Sequence, residues 1–238
     1  MNFPATEKEV KIAVDSKSLT AVETVYRSIR ERIINGLYLH GSKLRVEPLA
    51  REMKVSGSTV REALTRLSSD RLVMIEGRKG FRVMPMSLDD LRDITRARMT
   101  LECAALHESI AVGGDDWEVQ LVSAYHRLTL AEERLLQRPD ESFSHWEDAN
   151  KLFHDALGAG ASSEWLRHFG DILFHQSERY RRSSSCVPSS REDVREEHKR
   201  IFDATINRNS EEALDALRNH IERSQKVLQK SLKNDLSA

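Results

Sequence analysis

Val22, Val25, Ile29 and Ile33 recur every three or four residues, the period of one face of an α-helix, and Asn35-Gly36 closes the run. Residues 37–44 contain His40-Gly41 and read as a loop. Leu49, Ala50 and Met53 then share one side of a short helix over 47–53, and Val60, Leu64 and Leu67 mark the buried face of another over 55–69. Two apolar runs, 72–75 and 81–84, flank Glu76-Gly77-Arg78-Lys79-Gly80 and predict a β-hairpin with a basic tip, closed by Pro85. Helix, short helix, helix and hairpin in this order predict a winged helix-turn-helix over residues 19–86.

Beyond residue 87 the two-residue alternation of strands disappears. Helical periodicity runs through 88–112, 117–137, 142–157, 163–182, 191–207 and 210–232, with breaks at Gly, Pro, Asp or Ser. Short breaks between long helices predict antiparallel packing, so residues 87–238 are expected to form one all-α bundle. The fold class is therefore mainly α. Residues 1–18 show no sustained period and read as a flexible leader, and the Ser-rich stretch 181–191 as an exposed loop.

The helix over 55–69 has an apolar back and a polar start, Ser56-Gly57-Ser58-Thr59 followed by Arg61. A helix N-terminus presents unpaired N–H groups and partial positive charge, so phosphate oxygens bind there. Hydroxyls of Ser56, Ser58 and Thr59 add donors, and Arg61 reaches a phosphate or a guanine edge. With Arg45 before the short helix and Arg78 and Lys79 at the hairpin tip, these residues are the expected contacts to double-stranded DNA. Taken singly, each also fits a helix cap or a solvated surface position.

Charge sharpens this reading. The chain has a net charge of −1, but residues 1–86 hold 16 Lys and Arg against 10 Asp and Glu, while the rest hold 21 against 28. A basic front and an acidic back place an anionic partner at the front. At 39% hydrophobic residues the chain fills two modest cores, and it lacks the run of ~18 apolar residues that a membrane helix needs. Two cysteines, Cys103 and Cys186, fit free thiols in a reducing compartment, so the expected location is the cytoplasm, away from membranes.

In the back half, Asn150 and His154 stand at i and i+4 on one helix face. His198 shares a stripe with Phe202 and Thr205, and His220 one with Ala213 and Leu217. Three imidazoles and one oxygen facing a bundle core are the donors of a divalent metal, zinc or nickel-like, with positions left for water or a carboxylate. The plainer alternative is that each is a hydrogen-bonded core histidine, as His40, His107, His126, His145, His168 and His175 are expected to be hydrogen-bonded or partly exposed.

The motifs Ile33-x-x-Gly36, Leu49-Ala50-x4-Val55-Ser56 and Val60-Arg61-Glu62-Ala63-Leu64-x-x-Leu67, with hairpin Gly80, resemble the DNA-binding domain of GntR-family bacterial transcription regulators. That family usually carries Arg where this chain has Gly57, and Pro-Gly where it has His40-Gly41, so a frequent operator contact is absent. The back half resembles the FCD-type effector domain of the FadR branch, through Arg98-x-x-Leu101-Glu102, Asn150-x3-His154, and His198 and His220 in order. The resemblance implies a metal site on Asn150, His154, His198 and His220, and a small carboxylate effector held near it. A neutral Asn150 amide is the weaker of the two ligand types the family uses. Arg98 is then a candidate clamp for the carboxylate. The implied protein is a homodimeric, non-enzymatic regulator. The alternatives are a metal-independent regulator that senses an apolar ligand and a metal-dependent enzyme in which Glu102 or Glu147 serves as acid or base.

Overall fold

The computed structural model describes residues 19–183 and 191–235. The expected leader and Cys186 lie outside the described residues, as do most of the Ser-rich stretch and the Arg78 side chain.

Helix α1 (Ala21–Ile34) starts at Thr20, whose hydroxyl accepts from Glu23 N at 3.2 Å, and buries Val25, Ile29, Ile33 and Ile34. It stops where Gly36 takes a φ of +74°, a left-handed turn that glycine enters without strain. Helices α2 (Val46–Met53) and α3 (Gly57–Ser69) meet across a tight turn in which Lys54 is left-handed. Val60, Ala63, Leu64 and Leu67 of α3 are fully enclosed against α1, α2 and the sheet.

The hairpin strands are β2 (Val73–Ile75) and β3 (Phe81–Val83), joined through a single 3-10 turn over Gly77–Lys79. Gly80 closes that turn at φ +95° and ψ −137°, a backbone conformation that side chains disfavour. One element differs from expectation. The stretch read wholly as a loop ends in a short strand, β1 (Lys43–Leu44), which pairs antiparallel with β3 to give the order β1-β3-β2. Only Leu44 of this pair is buried, so two residues carry too little alternation to register as a strand. The ensemble is a winged helix-turn-helix.

The rest is helical: α4 (Leu88–Val112), α5 (Asp115–Gln137), α6 (Pro139–Gly158), α7 (Glu164–Ser183), α8 (Arg191–Ile206) and α9 (Ser210–Asp235). The α5 and α6 pair is the most extensive, pinned by the Trp117 indole N–H donating to Ala156 O at 2.8 Å. Helix α9 packs on α4 and α8, and α7 on α4 and α6, around a core that includes Leu106, Leu121, Leu128, Phe153 and Leu217. The helix expected over 163–182 is found at 164–183, so the overlapping loop reading of 181–191 does not hold for Arg181 and Arg182, which belong to the last turn of α7. Their partners Glu147 and Glu178 are buried carboxylates, and these ion pairs carry the helix past the point where the apolar stripe ends.

Helix α7 also joins the two parts. Gln176 Nε2 donates to Asp70 O at 2.6 Å, at the residue that caps the end of α3. Arg179 donates to Met84 O at 3.0 Å, just past β3, and the Tyr180 hydroxyl donates to Asp90 Oδ2 at 2.6 Å.

Candidate functional site

His154 on α6, His198 on α8 and His220 on α9 converge inside the bundle, with one ring nitrogen from each lying within 4.8 Å of the others. All three are buried. Each imidazole is oriented by its own carboxylate: Nδ1 of His154 meets Glu102 at 2.9 Å, that of His198 meets Glu132 at 2.6 Å, and that of His220 meets Glu197 at 3.0 Å. A carboxylate on Nδ1 fixes the tautomer and leaves Nε2 as a free donor pair for a cation. Among the described residues, His198 Nε2 and Asn150 Oδ1 are buried here without hydrogen-bond partners, as is Glu132 Oε2 on the carboxylate behind His198. Orphaned buried acceptors cost free energy unless something electron-poor meets them. The residues present therefore fit a divalent metal with His and amide ligands.

Electrostatics agree with that fit. Burial pushes His154 down to about 4 and His220 down to about 3, so both rings stay neutral at physiological pH, the form a metal needs. Burial opposes ionisation of Glu102, but Arg98 and the His154 hydrogen bond outweigh it and hold the carboxyl at about 2.

Arg98 is buried, with 4% of its surface exposed. Its Nε donates to Glu102 Oε1 at 2.6 Å, its Nη1 donates to Ser177 Oγ at 2.9 Å, and its guanidinium lies 5.0 Å from the Phe174 ring centre. It therefore points into the bundle and lines, with Asn150, His154 and His220, a cavity of about 70 Å³. Arg181 enters the same cavity, paired through Nε and Nη2 with both oxygens of Glu147 at 2.8 and 2.9 Å. A second cavity of about 250 Å³ also reaches His154, walled by Leu101, Ala105, Leu157, Leu166 and Phe174 and edged by Lys151 and Asp171.

At the other end of the molecule, Ser56 caps α3: its Oγ accepts from Thr59 N at 3.1 Å and lies 2.7 and 2.8 Å from the Ser58 and Thr59 hydroxyls. Arg61 is 60% exposed and only loosely approached by Glu47 at 3.8 Å. Arg45, at the start of α2, and Lys79, on the wing, are also exposed.

The front of the chain, residues 21–83, matches the family described as bacterial regulatory proteins, gntR family, and residues 93–223 match the FCD domain. The chain belongs to the GntR family. It is 42% identical over 207 residues to the HTH-type transcriptional regulator BphR of Paraburkholderia xenovorans (strain LB400), covering 87% of this chain and 84% of that one. It is 30% identical over 200 residues to the HTH-type transcriptional repressor GlaR of Escherichia coli (strain K12), covering 82% and 90%. Among solved structures, a GntR transcriptional regulator from Rhodococcus sp. RHA1 superposes with a TM-score of 0.73 at 23% identity, over 90% of this chain and 99% of that one. E. coli McbR/YncC gives 0.74 at 19% identity, over 89% and 98%, a likeness of fold. This GntR-family chain is thus a DNA-binding transcription regulator with an FCD domain. Its relatives are named as regulators, and no helix among the described residues is long and apolar enough to cross a membrane.

Within this GntR-family fold the four residues expected at the metal do come together, and Arg98 is beside them. The sequence reading does not single out Glu132 and Glu197 as the carboxylates behind His198 and His220. A signal for Glu132 was available: it stands four residues after Leu128 and three before Leu135, a charge on the apolar stripe of α5. Glu147, three residues before Asn150, breaks the buried face of α6 in the same way. Of the histidines expected to be exposed or hydrogen-bonded, His175 contacts Glu178 at 2.9 Å and the other five are exposed.

Proposed function

We propose that this regulator binds operator DNA as a homodimer and that a small organic acid, held at a divalent metal in the FCD domain, sets its DNA affinity. The observation that carries the reading is the trio of convergent imidazoles, each backed by its own carboxylate, with His198 Nε2 and Asn150 Oδ1 left unpartnered. Asn150, His154, His198 and His220 would hold the ion, zinc or nickel-like, whose chemistry is to accept a carboxylate oxygen into an open coordination position. Arg98 presents a guanidinium to the same cavity and orients the acid by charge-assisted hydrogen bonding. Gln176 and Arg179 of α7 hold the head, so an acid that shifts Arg181, or Arg98 against Ser177, acts on the helix that carries them.

In the head, Ser56, Ser58, Thr59 and Arg61 at the start of α3 would enter the major groove, with Arg45 and the wing residues Arg78 and Lys79 on the backbone. Two heads one helical turn apart read a two-fold symmetric site, which supports a homodimer. The acid changes DNA affinity by its differential binding to the two arrangements, typically ~1–3 kcal/mol.

The larger cavity, with its leucine and phenylalanine walls, supports a second reading in which an apolar ligand binds without metal. Elemental analysis of untagged protein purified without chelator separates the two. One zinc or nickel equivalent per chain is expected, and a chain that neither carries nor takes up a metal would overturn the metal reading in favour of the second.

A further inference from the structure

The charges buried around the three histidines have a definite balance. Among the described residues, the inner set facing the centre is three carboxylates, Glu102, Glu132 and Glu147, and two guanidiniums, Arg98 and Arg181, while the half-buried Arg223–Glu197 pair at the rim is neutral by itself. Glu132, Glu147 and Arg98 are at most 5% exposed, so water does little to screen them. The inner set therefore carries one net negative charge. Asp193, which also touches Arg223, is 59% exposed and screened by solvent. Lys151, Asp155 and Asp171 form their own cluster at the other cavity, and Glu178 is matched by Arg182. A dication on the histidines turns the balance to plus one. A single carboxylate then brings the site to neutrality, whereas a dicarboxylate leaves an uncompensated buried negative charge, a costly arrangement at low dielectric.

The walls say what the rest of the acid is. Arg181, the Arg223–Glu197 pair and Ser224 edge the cavity, and its apolar wall is Phe143, Trp146, Val194, Ile221, Val227 and Leu228, with the Phe143 and Trp146 rings 5.8 Å apart. Its volume of about 70 Å³ corresponds to a handful of water-sized groups. We infer that the effector is a short monocarboxylate of about four to six carbons in all, its single charge at the metal and Arg98 and its uncharged, mainly apolar remainder against Trp146. This rests on the metal reading above.

The test is calorimetric titration of the zinc-loaded full-length chain at pH 7 with paired acids of equal length, butyrate against succinate and pentanoate against glutarate. The monocarboxylate is expected to bind at least tenfold tighter in each pair. Glu147→Gln removes one inner negative charge and is expected to narrow that gap. Arg223→Gln removes a positive one at the rim and is expected to widen it, and because Arg223 is 36% exposed this variant keeps the test open if loss of Glu147 prevents folding. Trp146→Ala is expected to bring pentanoate down to the affinity of acetate. Tighter binding of succinate or glutarate by the native chain, or a gap that neither charge variant moves, would overturn the inference while leaving the metal and acid reading intact. If zinc binds fully and no acid of either kind gives heat, the acid reading itself fails, and this inference with it.

Discussion

At the scale of single residues, the two ends of the chain use polar groups in opposite ways. Around the histidines each Nδ1 has a carboxylate partner, whereas His198 Nε2 and Asn150 Oδ1 are buried with none. His198 is completely buried, so its only use for a lone pair is a ligand inside the bundle. Replacing His198 with Ala is expected to reduce metal uptake by at least tenfold and to remove acid-dependent release of DNA, while the head keeps its basal affinity. Inductively coupled plasma analysis with gel-shift titration reads both, and full metal content in the variant would remove this residue from the centre. In the head the polar groups face outward. Arg61, exposed at the start of α3, has no strong partner to give up. Arg61→Ala is expected to weaken operator binding by ~1–3 kcal/mol if the side chain reads a base. A loss of the same size on random duplexes would assign it to phosphate instead, and undiminished affinity for both would exclude it from the interface.

At the scale of elements, α7 shows how ion pairs extend a helix beyond its apolar face. Glu178 takes a hydrogen bond from Arg182 Nε at 2.7 Å and contacts His175 Nδ1 at 2.9 Å, with 9% of its side chain exposed. Burial raises its pKa, but His175 and Arg182 outweigh burial and bring the carboxyl to about 2. A carboxyl depressed on folding contributes stability above its unfolded pKa of 4.5 and loses it as pH falls towards 2. The loss amounts to about 1.4 kcal/mol per pH unit across that window. Glu178→Gln is accordingly expected to lower the melting temperature at pH 7 and to melt with the parent near pH 2, and a constant difference across that range would refute the assignment. The same helix shows what the sequence made legible. Long apolar stripes at a period of three to four gave six bundle helices with ends within a few residues, because burial of one face is what makes those helices stable. The pattern was silent where polar contacts, not burial, hold the chain. The two-residue β1 was missed because it exists only by pairing with β3, and the loop reading of 181–191 took in Arg181, which Glu147 of α6 holds in the last turn of α7. The convergence of Asn150, His154, His198 and His220 was legible by motif; the carboxylates behind the three histidines come from three different helices, and no local spacing links Glu132 to His198 across 66 residues.

At the scale of the whole molecule, neighbouring residues on α7 face the two functional ends. Ser177 Oγ accepts from Arg98 Nη1 at 2.9 Å and Arg181 Nη1 at 3.1 Å, both lining the small cavity. Gln176, one residue earlier, donates to Asp70 O, and the Asp70 carboxylate accepts from the Tyr26 hydroxyl of α1 at 2.5 Å. Asp70 caps the end of α3, so rotation or translation of α7 reaches α3 through the Gln176 bond to the Asp70 carbonyl. Coupling between sites requires an element whose arrangement both sites bias, and α7 is the helix that touches both. Gln176→Ala removes the contact to Asp70 without altering a cavity-lining residue. The expected outcome is unchanged metal content and acid affinity, with the acid-induced loss of DNA affinity reduced by ~0.5–2 kcal/mol, the range over which such intermediates modulate coupling. Reciprocity provides the check: operator DNA must weaken acid binding in the parent by the same factor that acid weakens DNA binding. If Gln176→Ala leaves both factors at their parental values, the signal does not pass through this contact, and the Arg179 and Tyr180 bonds to Met84 and Asp90 become the route to test.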